Sequence, residues 1–166
     1  MIIVSACLLG LNAKYDGKSN AHALIQKYSS VGRFIPVCPE QLGGLPTPRA
    51  PVEIIGGTGQ QVLLGRCVAQ GLQGEVVTPQ LIQGATEVMK MVKMFKITAA
   101  ILKERSPSCG VHHIYDGSFT HKLVPGQGVT AALLKESNIP IYSEEGLTEE
   151  QLVGLLGEDV NAKFTK

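Results

Sequence analysis

Residues 78–110 read TPQLIQGATEVMKMVKMFKITAAILKERSPSCG, a helix, a strand and a polar loop in immediate succession. Leu81, Ile82, Ala85, Val88, Met89 and Val92 recur at intervals of three and four, which predicts a helix over 79–95. Thr78-Pro79 opens it, a threonine N-cap followed by proline at the first helical position. Met89, Met91 and Met94 have the spacing of a soft-ligand stripe, but unbranched methionines on such a face read better as core filler. TAAIL at 98–102 is then a strand that runs straight into the loop carrying Cys109.

The same unit recurs on both sides. IIVSA at 2–6 is a β-branched strand ending at Cys7, and 21–32 has helical spacing at Leu24, Ile25 and Tyr28 with Gly32 as its stop. RFIPVC, 33–38, is a second strand whose Pro36 points to a sheet edge, and it ends at Cys38. GGLPTPRAP, 43–51, is a loop, and VEIIGGTGQQVLLG, 52–65, has the pattern of a β-hairpin around a Gly-rich turn. Residues 128–137 form a helix and IPIYS a strand, and TEEQLVGLL has the capping-box pair Thr148 and Gln151. Strands alternating with helices predict one α/β domain over 1–166, Rossmann-like, with a mostly parallel sheet flanked by helices plus the hairpin.

Composition narrows the function classes. Hydrophobic residues make up 44% and charged residues 17%, which excludes a disordered chain. Lys and Arg number 15 against 14 acidic residues with no basic run, so nothing steers the chain to nucleic acid or an acidic membrane. Four Phe, four Tyr and no Trp make a base-stacking platform for a nucleic-acid strand thin. The N-terminus lacks the basic region of a signal peptide, and no apolar run approaches the ~18 residues of a membrane span. A cytoplasmic setting is expected, where thiols stay reduced and metal or catalytic roles outrank disulfides. Oligomeric state is left open.

In a parallel α/β sheet, ligands bind where the C-terminal ends of strands converge. Cys7, Cys38 and Cys109 each follow a predicted strand, flanked by Gly, Pro or Ser. One such cysteine alone is most simply a small buried hydrophobe, whereas three at equivalent ends read as one site. Cys67 lacks this context and is expected beside the hairpin. Thiolates select zinc, copper(I) or iron–sulfur clusters. Zinc would need a fourth ligand or a water, for which His112 or His113 offers the spacing, with at most one of two adjacent strand residues facing the site. A cubane cluster held by three cysteines instead leaves one iron open as a Lewis acid.

SACLLG with YDG, PVCPEQLGGLPTPRAPVE, LKERSPSCG, IYDGSF and GQGVTAALL together resemble the thiouracil desulfurase (desulfidase) family, over roughly 1–145 and in the family's order. The resemblance implies a 4Fe-4S cluster held by Cys7, Cys38 and Cys109, with one open iron that takes the sulfur of a thiolated pyrimidine. It implies Glu40 of the Cys-Pro-Glu motif and Ser106 of Ser-Pro-Ser-Cys as catalytic residues. The reaction implied is non-redox conversion of 2- or 4-thiouracil to uracil plus hydrosulfide.

Coordination of a thiocarbonyl sulfur would make its carbon electrophilic. Glu40 could then take a proton from water and Ser106 could position the water or the leaving sulfur. Gly10, Gly43, Gly44 and Gly110 would let backbone approach the cluster. Each residue also has a plainer reading. Glu40 suits the first turn of a helix opened by Pro39, the serines suit turn or cap chemistry, above all Ser108, and Arg49 suits the surface or a loop anchor. The repeated Tyr-Asp-Gly at 15–17 and 115–117 reads as a turn, with Asp16 and Asp116 as turn residues. GQGVTA, 126–131, fits a dinucleotide fingerprint, yet Pro125 precedes it and no clean strand feeds it. The alternative to an enzyme is a zinc-binding or structural thiolate module. A thiol–disulfide protein is disfavoured because no C-x-x-C pair exists.

Overall fold

The computed structural model describes residues 1–157. In chain order the first half holds β1 (Ile2–Ser5), α1 (Ala23–Lys27), β2 (Phe34–Val37), α2 (Pro39–Leu42), β3 (Val52–Ile55), α3 (Gly59–Leu63) and β4 (Val68–Gly71). Then follow α4 (Thr78–Phe95), β5 (Ala99–Leu102), β6 (His113–Tyr115), β7 (Leu123–Pro125), α5 (Val129–Glu136), β8 (Ile141–Ser143) and α6 (Glu149–Leu156). Residues 158–166, included in the single domain expected from the sequence, lie outside the described residues.

Four strands form one parallel sheet in the order β2-β1-β5-β8. Both β1 and β5 are buried at every position. Alternate side chains feed opposite cores. Ile2, Val4, Ala99 and Ile101 pack against α1 and α6, and Ile3, Ala100 and Leu102 pack against α4 and α5. The result is the expected α/β layering with helices on both faces. Pro36 sits on edge strand β2, where a missing N–H costs no ladder bond. The chain reverses direction across the sheet between β1 and β5, the switch point beside which ligands bind in such folds.

A third core cluster joins β3 and β4 to α3, to the first half of α4 and to Val129 at the start of α5. Here the structure corrects the sequence reading. β3 does pair antiparallel in a hairpin, but with Val68–Gly71. The second apolar run, 62–64, belongs to α3 and its end, because Thr58 and Gln61 close a reciprocal capping box that starts a helix. Thr78 also differs from expectation. It is already helical, and its hydroxyl accepts the Ala69 amide (2.8 Å), tying α4 to β4 instead of capping. The helix expected over 21–32 shrinks to α1 and a separate 3-10 turn at Ser29–Val31, ended by Gly32 at φ 73°. Met89 and Met91 pack into the core as expected, while Met94 is 71% exposed. The strand reading of the His112-His113 pair corresponds to β6, while its antiparallel partner β7 has no counterpart in the sequence reading.

Candidate active site

At the C-terminal ends of β1, β2 and β5 lies a cavity of about 320 Å³ lined by Cys7, Cys38, Cys109, Glu40 and Ser106 together. All five residues singled out in the sequence thus share one wall-to-wall space. Cys7 lies in the 3-10 turn Ala6–Leu9 that continues β1. Cys38 is the N-cap of α2, so Pro39 and Glu40 form that helix's first turn, as the plainer reading of Glu40 has it. Cys109 sits at the end of the loop leaving β5 and is 5% exposed.

The cysteine loop is braced by hydrogen bonds from three sides. Ser106 Oγ accepts the amides of Ser108 (3.1 Å) and Cys109 (3.0 Å). The turn-capping role expected of Ser108 therefore belongs to Ser106, while the buried Ser108 hydroxyl has no hydrogen-bond partner among the described residues. Glu104, 3% exposed, accepts the amides of Val111 (3.1 Å), His112 (2.9 Å) and His113 (2.8 Å) through one oxygen. Burial pushes its carboxyl up, but the amides of His113 and His112 outweigh that and hold it below the ordinary glutamate value.

The third brace explains GQGVTA. The amides at the start of α5, from Gly128, Val129, Thr130 and Ala131, donate to the carbonyls of Gly110, Pro107 and, twice, Ser108 at 2.8–3.2 Å. A Cβ on Gly128 would stand 2.6 Å from the Ser108 oxygen. The helix N-terminus that a dinucleotide would need is occupied by the protein's own cysteine loop, so this glycine run is structural.

Burial raises all three thiols above their ordinary value, Cys109 most. Hydrogen bonds from Asn20 to Cys7 and Ser5 to Cys109 oppose this only in part. Cys38 disfavours ionisation of Cys7, and both disfavour that of Cys109, which places the three within mutual electrostatic reach. Three such sulfurs ionise together only around a positive centre, and thiolate-bound metal supplies one. Among the described residues, no three His, Cys, Asp or Glu side chains converge tightly enough to hold a single metal ion. His112 and His113 do not line the cavity, so neither completes a zinc set there. Three thiols lining one cavity have the donor chemistry of an iron–sulfur ligand set. All four cysteines are free, and Cys67 lies away from the cavity, its thiol directed to the Thr58 carbonyl (3.6 Å).

Residues 2–146 match the 2-thiouracil desulfurase family. The chain belongs to that family. The chain is also similar to the solved structure of the [4Fe-4S]-dependent thiouracil desulfidase TudS. It superposes with a TM-score of 0.80 at 38% identity, over 93% of this chain and 96% of that one. Uncharacterized protein YbbK of Bacillus subtilis (strain 168) is 44% identical over 149 residues, covering 90% of this chain and 99% of that protein.

Several cavity residues of this desulfurase-family chain escaped the sequence reading. Arg49 is neither a surface residue nor only a loop anchor. Its side chain is 6% exposed, its Nε donates to Glu40 Oε2 at 2.6 Å, and it reaches the Ala13 carbonyl and the Cys38 sulfur. Lys103 and Glu104 stand in the motif LKERSPSCG itself, directly after β5, where the switch-point rule should have drawn notice. The Lys103 ammonium pairs with Glu144 and favours ionisation of Cys7. The glycines expected to admit a cluster, Gly10, Gly43, Gly44 and Gly110, are not among the cavity's lining residues. Gly43 and Gly84 let α2 and α4 touch backbone to backbone. Asp16 and Asp116 are turn residues, as expected.

Proposed function

We propose that this chain is a 4Fe-4S-dependent desulfidase that converts a small thiolated pyrimidine, 2- or 4-thiouracil, to uracil and hydrosulfide without net electron transfer. The observation that carries the reading is the convergence of Cys7, Cys38, Cys109, Glu40 and Ser106 on one cavity, in a chain of the 2-thiouracil desulfurase family. The three cysteines would hold the cluster, which supplies a Lewis-acidic iron for the soft sulfur of the substrate.

The protein's own groups supply the rest. Arg49 engages one oxygen of Glu40 and fixes the carboxylate at the cavity wall. The other oxygen is the one to take a proton from water as its oxygen attacks the thiocarbonyl carbon. Ser106 Oγ already accepts two amides. Its own proton is therefore left to donate into the cavity, toward water or the departing sulfur. The balance is water in and hydrogen sulfide out: a C–O bond replaces a C–S bond at unchanged oxidation state.

The reading is supported when anaerobically reconstituted protein binds iron and sulfide and releases sulfide from thiouracil, with Cys109→Ala losing the cluster and Glu40→Ala keeping it but losing turnover. An intact cluster without sulfide release would make the substrate wrong. Zinc bound in place of iron would leave the structural thiolate module standing instead.

A further inference from the structure

We infer that Tyr15, Tyr115 and His121 form an aromatic rim that selects flat heteroaromatic thiones over open-chain ones. This rests on the desulfuration reading for the chemistry and goes beyond it in naming what grips the ring.

The repeated Tyr-Asp-Gly is the starting point. Both copies build the same turn: the aspartate Oδ1 accepts the amide two residues on, Lys18 in one (3.0 Å) and Ser118 in the other (3.0 Å). Both glycines take left-handed backbone, φ 75° at Gly17 and 90° at Gly117. Both tyrosines line the cavity that holds the three thiols. A turn alone explains the Asp and the Gly; it does not explain why each copy sets a tyrosine at the same cavity.

Each turn is also pinned by a charged residue of the cavity wall. The Arg49 amide donates to the Tyr15 carbonyl (2.7 Å), and the Arg49 side chain holds Glu40. On the other side Glu53, 7% exposed in β3, accepts the amides of Gly117 (2.9 Å) and Phe119 (3.0 Å). A Cβ on Gly117 would stand 2.6 Å from the Ile54 carbonyl oxygen, so this turn seats directly on β3. Burying a carboxylate is costly unless its hydrogen bonds are made, and here they hold the segment between Tyr115 and His121.

The rings themselves are arranged for contact. Tyr115 and His121 meet edge to face, centroids 5.9 Å apart at 78°. His121 has φ 61°, left-handed backbone that non-glycine residues adopt at a cost and that the surrounding turn must hold. Tyr15 is 41% exposed, with its ring face toward the Lys14 ammonium at 5.1 Å. In a chain with four tyrosines and no tryptophan, two tyrosines stand at this one cavity. Among the described residues that line it, only these three carry aromatic rings. A pyrimidine offers a π-face to stack on them, whereas thiourea offers the same C=S bond with almost no face.

The test is equilibrium binding of uracil to reconstituted protein by calorimetry, alongside turnover of 2-thiouracil and thiourea. Tyr15→Leu and Tyr115→Leu are each expected to bind uracil roughly tenfold more weakly, given the usual worth of base–aromatic stacking. They should raise KM for thiouracil with iron content held, and narrow the preference for thiouracil over thiourea. Tyr15→Phe and Tyr115→Phe, which keep the π-face, should restore wild-type binding. Leucine variants that bind uracil as tightly as wild type would overturn the rim, as would wild-type protein that binds no uracil. Uracil binding lost in the leucine variants, in protein that desulfurates nothing, would keep the rim and discard the desulfuration reading.

Discussion

Arg49 Nε stands 2.6 Å from Glu40 Oε2, and both side chains are nearly buried, 6% and 11% exposed. One partner is the second residue of α2 and the other lies in the proline-rich loop 43–51. The pair therefore closes that loop over the cavity and orients the proposed base in the same contact.

Arg49→Ala leaves the Glu40 carboxylate buried and unpaired, an arrangement that typically costs roughly 3–5 kcal/mol. Urea unfolding should show that loss, together with loss of turnover. The double variant Arg49→Ala with Glu40→Gln should regain much of the stability and none of the activity, because the uncompensated charge is gone but so is the base. Equal instability of single and double variants would mean that the loop, and not the charge, carries the cost.

Ser106 and Ser108 should separate cleanly. Ser106→Ala deprives two amides of their acceptor and is expected to cost about 1–2 kcal/mol as well as activity. Ser108 buries a hydroxyl that has no partner among the described residues, so Ser108→Ala is expected to be neutral or stabilising. Thermal unfolding of the two variants decides the matter; the reverse order would return the capping role to Ser108.

Gly128→Ala drives a methyl group against the Ser108 backbone. Overpacking of this kind costs about 1–3 kcal/mol. Since neither side of the contact is a flexible side chain, the cysteine loop must shift. Reduced iron content after reconstitution is the expected result. A variant with full iron and stability would show that α5 and the loop slide apart without disturbing Cys109.

Glu104 ties stability to pH. Its carboxyl is held below its ordinary value of 4.5 in the folded chain, so the unfolded chain binds its proton first as pH falls. Its contribution is complete well above that value and is lost as pH drops through it and then through the lowered folded value. Glu104→Gln should be less stable than wild type at neutral pH and should lose less stability on acidification. Parallel acid profiles for the two proteins would show that this carboxylate does not contribute.

The alternation of Ile2, Ile3 and Val4, the helix spacing from Leu81 to Val92 and the capping pair Thr148–Gln151 are local patterns. The α/β architecture was legible from them because a strand or helix buries the face its own period dictates. The cysteines were legible for a related reason: each follows a strand, and parallel strands bring their ends to one edge. Local pattern misled where local chemistry had two outlets. Residues 62–64 are apolar enough for a strand, but the Thr58–Gln61 box starts a helix that takes in Val62 and Leu63.

Pairings between residues distant in sequence had no such signal. That Arg49 reaches Glu40, that Glu53 holds the turn at Gly117, and that α5 spends its free amides on the Ser108 loop depend on which loops the sheet order brings together. The sequence by itself determined the layers, the strand ends and the three thiols, because those follow from period and position along the chain. Only the tertiary structure decided which charges are buried in pairs and which tyrosines share a cavity, because such contacts form between loops whose positions are set by the core beneath them.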